Sequence, residues 1–404
     1  MTPELLTAVA DVAKTQGVSA EAALLATGLI SESGYYRALA RHLGVYFIEG
    51  NVAIAPLAPY PQALHAGFAP LDPLDPLDQS AFIAAPQGEA ISTLIASVPP
   101  GELRGRLAIT TPSNLSNLLR TYFRKRILRD ASFALIGLDP SLSAKGRAQR
   151  FFPLGVAAGS LLAICATLTW AGAGAYLATA MSLAFLAIVV MRVIVCAAGI
   201  EAKPVVANRL SDEHLPPYSI VVALYREARV VPQLVSALEQ IDYPTAKLDI
   251  KFIIEEDDDE TFAALRKSVR RFGYEVIVAP NGTPRTKPRA LNVALPLLRG
   301  EFVAIFDAED LPDILQLRDA AERFAGAAPT VACLQARLAI DNLEGWLPRL
   351  FAIEYAALFD VINIGFADFK LPFPLGGSSN HFRTDILRKI GGWDAWNVTE
   401  DADI

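Results

Sequence analysis

Asp307, Glu309 and Asp310 follow an apolar run, Phe302 to Phe306, in the stretch GEFVAIFDAEDLPD. An apolar run bracketed by Gly300 and acids reads as a short buried strand that ends in carboxylates. In an α/β sheet the C-terminal ends of the strands open on the crevice where such sheets bind ligands. Carboxylate oxygens delivered there are hard ligands, suited to Mg²⁺ or Mn²⁺ held against a phosphate. Alone, the same acids would more often be a solvated loop after a strand.

Four further segments carry groups that could do chemistry. Glu256 and Asp257 lie in EEDDDE after KFII, where acids accept hydrogen bonds from a base or ribose or simply open a helix. In RTKPRALN, Lys287 and Arg289 precede a helix beginning near Ala290. Cations and free N–H groups at a helix start attract phosphate, and a solvated basic turn is the alternative. GGSSNHFR offers two glycines, Gly376 and Gly377, for close backbone approach, with Asn380 and His381 as hydrogen-bonding groups. GGWDAWNVTEDAD sets Trp393 and Trp396 ahead of Glu400 and Asp401. Indoles stack on sugar rings and a carboxylate beside them can take a hydroxyl proton, although the indoles would serve equally as core.

The elements that must position these groups follow from the pattern after Tyr218. Strand-like SIVVALY, DIKFIIE, YEVIVAP and EFVAIFD alternate with helical segments at about 231–240, 261–272 and 290–298. This β–α repeat predicts a mostly parallel sheet covered by helices.

Ahead of that sheet the composition changes. Hydrophobic residues are 52% and charged residues 20% of the 404, and the excess is concentrated between 151 and 200, where Arg192 is the one charged side chain. Phe151 to Trp170 and Ala175 to Val195 are each about the length that crosses a bilayer as a helix. Basic residues flank the pair (Lys145, Arg147, Arg150, Lys203) while the turn between has none. A two-helix transmembrane hairpin with both flanking units cytoplasmic is therefore expected, in a multi-pass protein of the inner (plasma) membrane. The N-terminus has no signal-peptide core. Cys165, Cys196 and Cys333 are far apart and fit neither a disulfide frame nor a zinc site. The net charge of −7 argues against a nucleic-acid partner.

Residues 1–130 predict a small α+β unit: helices at 20–25 and 32–42 with Ser31 as N-cap, strand-like LGVYFIEG, AFIAAP and LAITTP, and a helix from Asn114 to Leu128. LDPLDPLD is a proline-paced loop. Residues 131–150 read as a basic linker and 201–216 as a second, proline-broken one. LLATGLISESGYYRALARHLGVYFIE followed by LAITTPSNLSNLLR resembles the N-terminal domain of type II secretion and type IV pilus ATPases. Some relatives of that domain bind cyclic di-GMP through a repeated motif beginning Arg-Leu-Gly, which the first half lacks. The resemblance implies a docking role toward a protein partner, with cyclic di-GMP as the alternative.

From Pro217 to Ile404 the five motifs, in this order, resemble the processive family 2 glycosyltransferases that include cellulose, curdlan and chitin-oligosaccharide synthases. The resemblance implies a GT-A fold, a UDP-sugar donor (UDP-glucose first, UDP-N-acetylglucosamine second), inversion at the anomeric carbon and a polysaccharide or oligosaccharide acceptor. By motif position, Glu256 and Asp257 would contact the uridine and Lys287 would face the nucleotide. Asp307 and Glu309, with Asp310 beside them, would hold the metal and diphosphate. Gln335 and Arg337, in QARL, would lie near the donor or acceptor. Gly377, Ser378, Asn380, His381 and Trp393 would line the acceptor, and Asp401, with Glu400 beside it, would be the general base. Two departures are conservative: Glu256 stands for Asp, and the DxD motif reads Asp-Ala-Glu. The family pattern continues with Gln-x-x-Arg-Trp and export helices, so a chain cut short at Ile404 is expected. A membrane-anchored regulatory or scaffold protein with a degenerate transferase domain, and a non-processive transferase acting on a lipid carrier, are the alternatives.

Overall fold

The computed structural model describes residues 2–72, 80–145, 152–169, 172–201, 209–269 and 271–399. Residues 73–78 of the LDPLDPLD loop and 202–208 of the linker lie outside them.

The N-terminal unit opens with helices α1 (Pro3–Gln16), α2 (Ala20–Ala26) and α3 (Glu32–Leu43). The Ser31 hydroxyl accepts from the Gly34 N–H, so the expected N-cap is present. A four-stranded sheet follows, ordered β1 (Tyr46–Phe47), β4 (Leu107–Ile109), β3 (Phe82–Ala84), β2 (Phe68–Pro70). It is parallel except where β2 pairs antiparallel with β3. Helices α4 (Gln62–Ala66), α5 (Glu89–Ser97) and α6 (Pro112–Tyr122) pack on it, with Thr111 capping α6. The expected single helix at 114–128 breaks at Phe123 and resumes as α7 (Arg124–Leu138). Residues 131–138 are thus the end of that helix rather than linker.

Two apolar helices come next, α8 (Phe152–Thr169) and α9 (Ala173–Glu201). At 1.5 Å per residue α9 is roughly 44 Å long, beyond the ~30 Å of a bilayer's hydrocarbon core. Its side chains from Tyr176 to Ile194 are largely exposed and apolar, as befits a surface not facing water.

The larger sheet runs β7 (Tyr274–Ala279), β6 (Leu248–Glu255), β5 (Tyr218–Leu224), β8 (Phe302–Phe306), β10 (Asn380–Arg383), β9 (Cys333–Gln335). The first four strands are parallel and β10 is antiparallel to both neighbours. Alternate residues face opposite sides. Tyr218, Ile220, Val222, Phe252, Ala304 and Phe306 pack beneath α10 (Val231–Glu239), α11 (Asp259–Ser268) and α13 (Gln316–Gly326). Val221, Ile253, Val303 and Ile305 face α12 (Lys287–Ala294) and α16 (Thr384–Lys389). That second core also contains Tyr60, Ile127 and Ala131 from the N-terminal side. The same face carries a buried ionic network: Lys251 Nζ lies 2.9 Å from Asp249 and 2.6 Å from Glu275, and Arg120 of α6 lies 3.1 Å from Glu275. Burial alone would raise the Glu275 carboxyl; Lys251 and Arg120 outweigh it and hold it at about 2.

One membrane-length element escaped the sequence reading. Helix α14 (Trp346–Ala357), a π-helical turn (Leu358–Ile362) and α15 (Asn363–Asp368) form a continuous 23-residue apolar segment. With α9 it is one of two helices among the described residues long and apolar enough to cross a membrane, whereas the apolar part of α8 is shorter. α9 and this segment cross at glycines: a Cβ on Gly199 would strike the Val361 carbonyl, and one on Gly365 the Val195 carbonyl. Small residues at such a crossing let two backbones approach closely.

Candidate active site

The register of the large sheet brings its strand ends to one edge. Val222 pairs with Phe306 and Leu224 with Ile254, so β5, β6 and β8 finish together. The segments that follow are Tyr225–Glu227, Glu256–Asp258 and Asp307–Asp310. Antiparallel β10 starts at the same edge, with Asn380 opposite Ile305, and adds the Gly376–Ser379 loop.

Asp258 organises the first of these segments. Its carboxylate caps α11 at the Thr261 N–H and accepts the Arg226 N–H at 2.5 Å. Arg226 is held at φ 60°, unusual for a residue with a side chain. This turn presents Glu227, which the sequence reading did not single out. The Glu227 Oε2 is buried without a hydrogen-bond partner among the described residues. Burial raises the Glu227 carboxyl above its usual range, and the negative field of Glu309, Asp307 and Asp258 raises it further.

Four of the neighbouring acids, Glu255, Glu256, Asp257 and Asp307, have a cation. Glu255 is buried against Arg289, at 2.7 Å and 2.9 Å, and Arg289 also donates to the Pro280 carbonyl. Arg289, grouped in the sequence with Lys287 as a phosphate-attracting cation, is fully buried and structural. Glu256 takes the Arg124 guanidinium on both oxygens and the Asn281 N–H at 3.1 Å. These bonds, the arginine's first, hold its carboxyl at about 2. Asp257 pairs with Arg285, whose guanidinium lies 4.5 Å over the Tyr225 ring. Lys287 Nζ lies 2.6 Å from Asp307 Oδ1 and 3.3 Å from the Gly377 carbonyl.

Of the expected metal-binding trio, Asp310 departs from expectation. Its carboxylate accepts the Asp307 N–H at 2.7 Å and the Ser378 hydroxyl, tying the β8 end to the glycine loop. Burial raises its carboxyl above the usual range. No group of three acidic, histidine or cysteine side chains is gathered at metal-binding distance among the described residues. Asp307, Glu309 and Glu227 share this edge closely enough that the first two raise the Glu227 carboxyl, an all-oxygen set of the kind hard cations take but not gathered as ligands here.

Residues 216–404 match the family described as glycosyltransferase like family 2. The C-terminal part of the chain, somewhat less than half of it, is thus similar to family 2 glycosyltransferases. Its α/β sheet is in keeping with the GT-A architecture expected from the motifs. The chain is 27% identical over 212 residues to a β-monoglucosyldiacylglycerol synthase of Synechocystis sp., covering 50% of this chain and 42% of that protein. It is 22% identical over 199 residues to a probable glycosyltransferase, YdaM, of Bacillus subtilis, covering 48% and 47%. The chain thus spans about half the length of the curated relatives it matches. Among solved structures, a mannosyltransferase of Pyrobaculum calidifontis in complex with GDP-Man and Mn²⁺ aligns at 21% identity over 51% of this chain and 55% of that one. Its TM-score is 0.41.

On the acceptor side of the transferase domain, two expected contacts are corrected. His381 is 1% exposed. Its Nδ1 bonds the Tyr218 hydroxyl at 2.7 Å and its Nε2 the Gln316 amide at 3.1 Å, so both ring nitrogens are used inside the core. Burial pushes its pKa down to about 3. Trp393 is 3% exposed, packs edge-on to Phe382, and is held by Asn292 through both backbone polar groups. Neither side chain can reach a ligand, because burial in a packed core outweighs what residue type suggests. Asn380 is buried too, donating to the Gly376 carbonyl, and its Oδ1 has no partner among the described residues. Gln335 holds the glycine loop by accepting from Gly376 N and donating to the Ser378 carbonyl. Arg337 pairs with Asp360 of the π-helical turn at 3.1 Å. Gly377 and Ser378 lie beside Asp307 and Asp310 through the contacts already given. Glu400 and Asp401 lie outside the described residues. The segment leading to them is anchored: Trp396 donates to the Ser132 carbonyl, and Asp394 accepts from Ser143 and Ala144.

Proposed function

We propose that the chain is a membrane-bound, inverting glycosyltransferase that takes a sugar from a UDP-sugar, UDP-glucose first, at the cytoplasmic face of the plasma membrane. The observation that carries this is the gathering of Glu227, Asp307, Glu309 and Lys287 at one edge of a family 2 transferase sheet.

In this reading Asp307, Glu309 and Glu227 hold Mg²⁺ or Mn²⁺. The ion would supply charge neutralisation for the leaving diphosphate. Lys287, now paired with Asp307, turns to a phosphate oxygen once that carboxylate is otherwise engaged. Glu256 and Asp257 face the nucleoside, with Tyr225 and its covering Arg285 as a stacking wall. The glycine loop, braced from within by Asn380 on the Gly376 carbonyl and by Ser378 on Asp310, presents its backbone to the acceptor. Asp401 takes the proton from the attacking hydroxyl, and a single displacement inverts the anomeric centre. Processive polysaccharide synthesis is the first reading of the acceptor.

A lipid acceptor is the second reading, and a specific contact favours it. Phe359 of the π-helical turn packs on Gly376, so the apolar segment from Trp346 to Asp368 lies directly behind the glycine loop. The Synechocystis relative is named for a glycolipid product. The N-terminal unit would serve docking to a protein partner.

UDP release from a panel of UDP-sugars, by membranes containing the chain with Mg²⁺ or Mn²⁺, tests the reading. Release with one sugar, lost in Asp307→Ala and Asp401→Asn, is expected. Absence of release with every sugar from folded protein would favour the scaffold alternative. Addition of diacylglycerol or of oligosaccharide separates the two acceptors.

A further inference from the structure

Helix α7 lies on the transferase domain along one stripe. Arg124 pairs with Glu256, and Leu128 fills the space over Gly282, where a Cβ would collide with it. The Ala131 carbonyl accepts from Asn292, and Leu135 and Leu138 lie against Gly391. Positions 124, 128, 131, 135 and 138 follow the i, i+4, i+7 spacing of a single helix face. Docking is therefore secured by packing and by a buried amide without the arginine.

We propose that Arg124, supplied from the N-terminal side of the two apolar helices, is a donor-positioning residue that orients the Glu256 carboxylate toward the nucleobase. The inference rests on the donor-site reading of Glu256. A carboxylate accepts about four hydrogen bonds. Arg124 takes two, at 2.6 Å for Nη1 to Oε1 with Nη2 on Oε2, and Asn281 N takes a third. What remains is directional capacity for one donor, the chemistry of a nucleobase edge that presents a single N–H. A planar guanidinium fixes the plane of the carboxylate as an ammonium cannot. As a stability device the pair would matter little, because the Arg124 side chain is 49% exposed and that of Glu256 32%.

Binding of UDP to the full-length protein in detergent, by titration calorimetry with Mn²⁺, tests this in Arg124→Ala, Arg124→Lys and Glu256→Gln. The expected result is about tenfold weaker binding in Arg124→Ala, with partial recovery in Arg124→Lys. In turnover assays the loss should fall in the donor KM rather than in kcat. Wild-type affinity in Arg124→Ala overturns the inference alone, as does tighter binding, which would make Arg124 an obstruction. A lowered unfolding midpoint with unchanged KM marks a mere structural tie and overturns it as well. Failure of the wild-type protein to bind UDP removes the donor-site reading itself.

Discussion

Lys287 Nζ stands 2.6 Å from Asp307 Oδ1, so the candidate donor site carries its own cation where a divalent ion and a diphosphate would meet. The pair is about one-third exposed on either side, so it can be exchanged without dismantling the core. Lys287→Ala should lower transfer on the order of 10²-fold, and Lys287→Arg should restore little because the Gly377 carbonyl fixes the amine's place. Steady-state assays check this. Full activity in Lys287→Ala would remove the lysine from the site.

Glu227 predicts a separation of stability from function. Its charge is opposed by burial and by Glu309, Asp307 and Asp258. Glu227→Gln should therefore raise the thermal unfolding midpoint at neutral pH while weakening Mn²⁺-dependent UDP binding by roughly 10- to 100-fold. Calorimetry of both quantities decides, and a variant that loses stability would show that the carboxylate is satisfied after all.

His381 predicts acid sensitivity. Its pKa in the fold, about 3, lies below the ordinary 6.5, so the unfolded chain binds the extra proton between those values. Stability from this residue is complete above pH 6.5 and declines as pH falls toward 3, by up to about 1.4 kcal/mol per pH unit. Unfolding midpoints measured across that range should show the slope shrink in His381→Phe, at a cost of about 1–3 kcal/mol for stranding the Tyr218 and Gln316 polar groups. An unchanged slope would assign the acid sensitivity elsewhere.

The glycine crossing predicts a steric effect confined to one interface. Gly365→Val should destabilise by about 1–3 kcal/mol through overpacking against Val195. Gly159→Val on α8, where a Cβ meets nothing within 4 Å, is the control. Thermal unfolding in detergent compares them, and equal effects would deny the crossing.

The alternation of apolar runs and helical segments was enough to order β5 through β8, because burial on both faces of a parallel sheet leaves a continuous apolar signature. The acids at the ends of β6 and β8 were legible for the same reason. Glu227 was not: a lone acid in REAR between two arginines looks like a solvated turn, and only the register of β5 with β8 reveals its company. The segment from Trp346 to Asp368 was hidden by Pro348, Glu354 and Asp360 within its apolar run. His381 and Trp393 advertised chemistry by type, whereas their placement depends on pairings across the chain. His381 lies opposite Ala304, on the face of β8 turned to α13, and no local pattern encodes that.

The docking of α7 bears on what can be inherited or excised as a piece. Ile127 and Ala131 complete the core beneath α12, and Asp394 reaches back to Ser143 and Ala144. A chain begun at residue 217 would bare that core face and remove the Ala131 partner of Asn292 and the Ser143 and Ala144 partners of Asp394. A unit cut to keep these contacts would therefore start near Arg124, with the two apolar helices looped out between its parts.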